Sequence, residues 1–116
     1  MLDNPRGLYP AITYPPSAGT LKNLGDTLKF TPTVATGVFY RAANDVFNMA
    51  QFHLHTPSEH RIDGRDYPME FHFVHTKGSE LAVVGAFIDF APTTSPFIAA
   101  IVVSLISLNR LCVTKD

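Results

Sequence analysis

Five histidines lie between positions 53 and 75 of this 116-residue chain, and none lies elsewhere. His53 and His55 stand two apart in Gln51-Phe52-His53-Leu54-His55. On an extended strand, residues two apart leave the same face, about 6.6 Å from each other at their Cα atoms. Two imidazoles so placed can converge on one ion at about 2.0–2.1 Å. A third ligand must come from another strand. His72, in Met69-Glu70-Phe71-His72-Phe73-Val74-His75, is the natural candidate. Three histidines with an open fourth position form a catalytic zinc site, in which the pKa of bound water falls to about 7. An isolated H-x-H is common and weak by itself. Here Gln51 shares the face of His53, and Glu70 that of His72. Each can orient the ring nitrogen that its neighbour does not offer to an ion. His60 and His75 read as ordinary hydrogen-bonded histidines.

The elements that position these rings follow from pattern. Phe47–His55 alternates as a strand, with Phe47, Met49, Gln51, His53 and His55 on one face and Phe52 and Leu54 on the other. Ile62-Asp63-Gly64-Arg65 reads as a tight turn, Asp-Gly supplying the positive φ values. Met69–His75 is the next strand, with Glu70, His72 and Val74 on one face and Phe71, Phe73 and His75 on the other. Gly78 ends it. Leu81–Phe90 is apolar on both faces, the pattern of a central strand covered on both sides. Upstream, Thr27–Thr33 and Val38–Tyr40 read as short strands. Residues 1–20 contain Pro5, Pro10, Pro15 and Pro16 and read as extended coil with little ladder pairing. Ser95-Pro96 opens a helix, serine capping it and proline taking the first helical position. The expected architecture is mainly β with some α: a twisted, largely antiparallel sheet and one late helix near 95–107.

Length suits one domain. Nine Lys plus Arg against ten Asp plus Glu give a net charge of -1, which argues against a nucleic-acid groove. Apolar residues at 46% and charged residues at 16% argue against disorder. The lone Cys112 excludes an internal disulfide and a multi-cysteine zinc finger, and reads as an incidental thiol. The longest apolar stretch, Phe97–Leu108, is too short to span a bilayer. Asp3, Pro5 and Gly7 stand where the apolar core of a signal peptide would lie. No glycine-rich phosphate loop or nucleophilic triad is visible.

The run Gln51-Phe52-His53-Leu54-His55-Thr56-Pro57-Ser58-Glu59-His60 resembles the signature of α-class carbonic anhydrases, in the form found in bacterial, fungal and plant members. Met69–His75 resembles the family's second ligand strand, and Leu81-Ala82-Val83-Val84-Gly85-Ala86-Phe87 the strand behind its substrate pocket. The resemblance implies zinc as cofactor, held by His53, His55 and His72 with Gln51 and Glu70 behind them. It implies carbon dioxide and bicarbonate as reactants, with Val74 and Val83 lining the apolar wall beside the metal. Glu59 resembles the glutamate that accepts a hydrogen bond from a gatekeeping threonine.

Asn23-Leu24-Gly25-Asp26 resembles a segment whose last residue is often a shuttle histidine. A carboxylate there is poorly matched to water titrating near about 7, so Asp26 is expected to be a poor shuttle, and soluble buffer to take the proton. The chain resembles only part of the family's domain. Neither the early Ser-Pro-Ile-Asn segment nor the later Leu-Thr-Thr-Pro-Pro segment with the orienting threonine occurs in it. Zinc binding with weak or absent hydratase activity in this chain alone is therefore expected. One alternative is a non-catalytic zinc-holding remnant that acts through a partner chain or through self-association along an open sheet edge. Another is a cupin-like metalloenzyme with Glu59 as a direct ligand, against which stands the lack of any histidine after His75. Similar bacterial and fungal proteins are often exported, which implies a periplasmic or secreted protein, although no signal peptide opens this chain.

Overall fold

The spine of the molecule is an eleven-residue strand, β5 (Asp45–His55), to which most of the others attach. The computed structural model describes residues 10–107, with side chains to residue 101; Cys112 and the tail 109–116 lie outside the described residues. In chain order, β1 (Ala11–Thr13), β2 (Gly19–Asn23), β3 (Leu28–Pro32) and β4 (Val38–Ala42) precede β5. β6 (Met69–Lys77), β7 (Glu80–Ile88) and α1 (Pro96–Ser107) follow it. All seven strands form one antiparallel sheet. Along one edge of β5, β4 pairs with its first half and β3 with its second. β6 runs the length of the other edge, and β7 pairs with β6. β1 extends the sheet beyond β4, and β2 extends it beyond β3. No helix among the described residues is long and apolar enough to cross a membrane.

Strict alternation predicts Phe47 and Met49 on the face of His53. The structure places them on the opposite face, because β5 carries a bulge. Met49 pairs with His75, yet Gln51 pairs with Val74, so Ala50 is an extra residue in the ladder. One inserted residue exchanges the faces on either side of it. Phe47, Met49 and Phe52 thereby join Phe71 as the buried apolar residues. Gln51, His53 and His55 are turned to the other face.

One further expectation is corrected. The proline-bearing segment is not all coil, since β1 forms between its prolines and pairs with β4. Three residues fit because Pro10 and Pro15 flank the strand and none of its own N–H groups is missing. Nothing among the described residues covers the second flank of β7. Among the described residues it pairs only with β6, and Leu81 and Val83 are 68% and 54% exposed. Other expectations match the structure. Asp63 and Gly64 take φ values of 51° and 75°, and Ile62 and Arg65 form the bridge around them. Ser95 caps α1, its Oγ accepting from Ile98 N at 3.2 Å. Phe97 packs the helix onto the rings of Phe52 and Phe71, with centroids 5.6 and 5.4 Å apart.

His75 fixes the segment after β1 to the sheet. It is fully buried, donates from Nδ1 to the carbonyl of Ala82 at 3.0 Å and accepts at Nε2 from the Tyr14 hydroxyl at 2.7 Å. Burial holds its pKa below the ordinary histidine value, so the ring folds neutral. An unfolded histidine takes up a proton as pH falls through about 6.5, and the folded one resists it, so this contribution is present above that pH and is lost below it. Tyr14→Phe leaves Nε2 buried without a donor, a cost of about 1–3 kcal/mol at pH 8. Urea unfolding of parent and variant should show that gap at pH 8. The gap should narrow as pH falls below about 6.5, because the tyrosine hydroxyl favours the neutral ring.

Candidate metal centre

Two facing strands build the centre. His53 on β5 lies directly opposite His72 on β6, and His55 lies directly opposite Glu70. Opposed residues of an antiparallel pair share a face, so the three rings leave the sheet together. Their centroids are 5.0 Å (His53–His55), 5.3 Å (His53–His72) and 4.5 Å (His55–His72) apart. One nitrogen from each lies within 4.8 Å of the other two. His72 is buried, while His53 and His55 are partly open to solvent.

Hydrogen bonds select which nitrogen each ring offers. His53 donates from Nδ1 to Gln51 Oε1 at 2.9 Å, which leaves Nε2. His72 donates from Nε2 to Glu70 Oε2 at 2.5 Å, which leaves Nδ1. Burial first, then the neighbouring His55 and His72, hold the pKa of His53 below its ordinary value, so the ring is a neutral donor. Three imidazoles, two of them oriented through their far nitrogens, fit a borderline metal such as zinc.

Glu70 is held more firmly than spacing implies. Its carboxylate is 1% exposed and accepts from three groups: His72 Nε2, His60 N at 2.9 Å and His60 Nδ1 at 2.7 Å. Burial pushes its pKa up, but the His60 backbone and ring and the His72 ring outweigh that and bring it down to about 2. His60 reaches it because the loop after β5 is clamped shut. Ser58 and Tyr67 exchange bonds, Ser58 N to Tyr67 O and Tyr67 N to Ser58 Oγ, both 2.9 Å, and Ser58 Oγ donates to His60 O at 2.8 Å. The same loop brings Glu59 Oε2 to 3.6 Å from His72 Nε2 and 3.9 Å from His55 Nε2. Glu59, His60 and His72 thus form a second group with ligand atoms within 4.8 Å of one another. His72 belongs to both groups.

Val74 and Val83 face each other across β6 and β7, and Val74 is also opposed to Gln51, so both lie on the histidine face. Asp26 is exposed in the bend between β2 and β3, where Asn23 Oδ1 accepts from Gly25 N at 2.9 Å. No hydrogen bond or ion pair joins it to the histidines among the described residues.

Two contributors escape a reading by motif. Gly85 lies opposite His72 on β7, and a Cβ there would stand 3.2 Å from Glu70 Oε2 and 3.8 Å from the His72 ring. The signal was a glycine inside an apolar strand, which marks a close approach. Lys29 lies opposite His53 on β3, which only the cross-strand register reveals.

The comparisons with known proteins agree on one family. The model for eukaryotic-type carbonic anhydrase matches residues 8–110. A carbonic anhydrase of Nostoc sp. is 42% identical over 84 residues, which are 69% of this chain and 31% of that protein. A carbonic anhydrase of Neisseria gonorrhoeae is 34% identical over 97 residues, 82% of this chain and 38% of that protein. The solved fungal α carbonic anhydrase of Aspergillus oryzae superposes with a TM-score of 0.75 at 31% identity, covering 84% of this chain and 42% of that one. The chain thus spans about a third of the length of these curated relatives.

Proposed function

Because the chain belongs to the eukaryotic-type carbonic anhydrase family, we propose that His53, His55 and His72 hold one zinc ion, and that the protein they serve interconverts carbon dioxide and bicarbonate. The observation that supports this best is the pair of hydrogen bonds behind the rings. Gln51 and Glu70 engage His53 Nδ1 and His72 Nε2, so the nitrogens left over, His53 Nε2 and His72 Nδ1, are the ones these rings can offer to an ion. Bound there, zinc would acidify a water to a pKa near about 7 and so supply hydroxide at neutral pH.

The chain's own residues have separable tasks in this reading. Glu70 stays ionised and keeps the His72 ring aimed. Gly85 leaves room for that carboxylate. Val74 and Val83 offer apolar wall to a neutral, weakly hydrated gas beside the histidines. Glu59 places an acceptor over the cluster. Asp26 is a carboxylate on an exposed bend, so proton export falls to soluble buffer. The cupin-like alternative falls with the family assignment.

The 116 residues contain no Leu-Thr-Thr-Pro-Pro segment, so nothing in them corresponds to the orienting threonine. Zinc uptake without efficient turnover is the expected behaviour of this chain by itself. Calorimetric titration with zinc should give one ion per chain, and stopped-flow hydration should be weak or absent. Turnover at the level of a complete family member would overturn the second expectation. A flat titration would remove the first, and the functional reading with it.

A further inference from the structure

We propose that Lys22 and Lys29 form a cationic row on the histidine face that draws bicarbonate to and from the metal centre. The inference rests on the metal reading and names the residues that handle its anionic reactant. Strand register builds the row. Lys22 on β2 lies directly opposite Lys29 on β3, and Lys29 lies directly opposite His53 on β5. Opposed residues of an antiparallel pair share a face. The packing beneath fixes which face that is. Phe30 stacks on Phe52 at 4.9 Å in the aromatic layer, so its neighbour Lys29 is turned to the histidines. Thr27 holds the register, its Oγ1 donating to Leu54 O at 2.6 Å and accepting from Leu54 N at 3.3 Å. One row across the sheet thus reads Lys22, Lys29, His53, His72.

Two lysines set opposite one another repel, and a lysine beside three imidazoles opposes the entry of a divalent cation. Neither stability nor metal uptake accounts for the row, whereas an anion does. Among the described residues no ion pair joins either lysine to a carboxylate, Asp26 in the bend of the same hairpin included. Lys29 is half-buried, and its field reaches the cluster: after burial and the rings of His55 and His72, it too works against a proton on His53. Carboxylates gather on the opposite flank. Glu70 and Glu59 both adjoin His72, Glu59 Oε2 at 3.6 Å from its Nε2. Charge on this face therefore runs from positive at β2 and β3 to negative at β6 and the loop after β5, a gradient that steers an anion. Reactants of the metal centre must reach this face, whatever else the protein packs against the sheet.

Titration of the cobalt-loaded chain with bicarbonate, read in the visible spectrum, tests this. Lys29→Met keeps the apolar stem and removes the charge. It should raise the dissociation constant for bicarbonate about five- to tenfold, and Lys22→Met, one strand farther out, about two- to threefold. Imidazole, a neutral ligand for the same ion, should bind each variant as it binds the parent. Lys29→Arg should hold bicarbonate as the parent does. Calorimetry supplies a change of opposite sign, since zinc affinity should rise about two- to fivefold in Lys29→Met once the repelling charge is gone. Damage to the fold would instead lower both affinities. If the parent takes up no metal, the metal reading fails and this inference with it. The lysine row alone is overturned if metal uptake is intact but Lys29→Met binds bicarbonate as tightly as the parent, loses imidazole equally, or binds zinc more weakly. It is overturned as well if Lys29→Arg loses as much bicarbonate affinity as Lys29→Met.

Discussion

Replacing His72 with alanine should lower zinc affinity about a thousandfold. Zinc bound by four protein ligands in small peptides gains about 10–16 kcal/mol, so one ligand accounts for roughly 3–4 kcal/mol, or about three decades. His72 is the ring for which that share is least recoverable. It is buried and lies opposite His53, with its Nε2 tied to a carboxylate that is itself fully engaged. Neither His53 nor His55 can move into its place, because both are fixed to β5. Because His72 belongs to two groups of potential ligands, its loss alone does not say which group holds the ion. His55→Ala and His60→Ala separate them. His55 is a member only of the group with His53, and His60 only of the group with Glu59. If the ion sits among His53, His55 and His72, the His55 variant should be as damaged as the His72 variant. The His60 variant should then lose about 10–100-fold, the usual effect of loosening a partner behind a ligand. Calorimetry on the three variants, each checked for an unchanged sheet signal by circular dichroism, decides it. The reverse ranking of His55 and His60 would move the ion to the group under the loop.

That His53, His55 and His72 come together was legible because strand parity is local. His53 and His55 share a face whatever the rest of the sheet does, and so do Glu70 and His72. The Asp63-Gly64 turn and the Ser95-Pro96 cap were legible for the same reason, since each is set by the φ preferences or the side chain of adjacent residues. What could not be read was anything that depends on pairing. The extra residue at Ala50 leaves no mark in the alternation of Phe47, Met49 and Gln51. It shows only when Met49 is found opposite His75 and Gln51 opposite Val74. The flanks of β7 could not be read because composition reports the environment a strand suits, and not the neighbours it has. Those nine residues suit a covered strand, and among the described residues one flank is bare. The bond from the His60 backbone to Glu70 escaped for a third reason. Ser58 must first close the loop through Tyr67, and nothing in the spacing of Ser58, His60 and Glu70 announces that closure.

Phe52→Ala should cost about 3–5 kcal/mol, enough to remove most of the stability of a domain this small. Phe52 is the residue on which the apolar face converges. Its ring packs on Phe30 at 4.9 Å, Phe73 at 5.4 Å, Phe97 at 5.6 Å and Phe71 at 5.7 Å between centroids. These partners come from β3, β6 and α1, so one truncation opens a cavity where three elements meet. Only Phe47, Met49, Phe52 and Phe71 are buried hydrophobic residues among those described, which leaves little else to close the gap. The consequence reaches the metal centre through the backbone. Phe52 lies between Gln51 and His53, and its pairing with Phe73 sets the register that places His53 opposite His72. The urea midpoint of Phe52→Ala should therefore fall sharply, and zinc affinity should fall with it although no ligand has been touched. Saturating zinc should restore part of the midpoint, because an ion that binds only the folded chain stabilises it by RT ln(1 + [L]/Kd). Val83→Ala, at an exposed position on the histidine face, should change stability by less than about 0.5 kcal/mol. If the two substitutions proved equally mild, the centre would not owe its geometry to the aromatic layer beneath it.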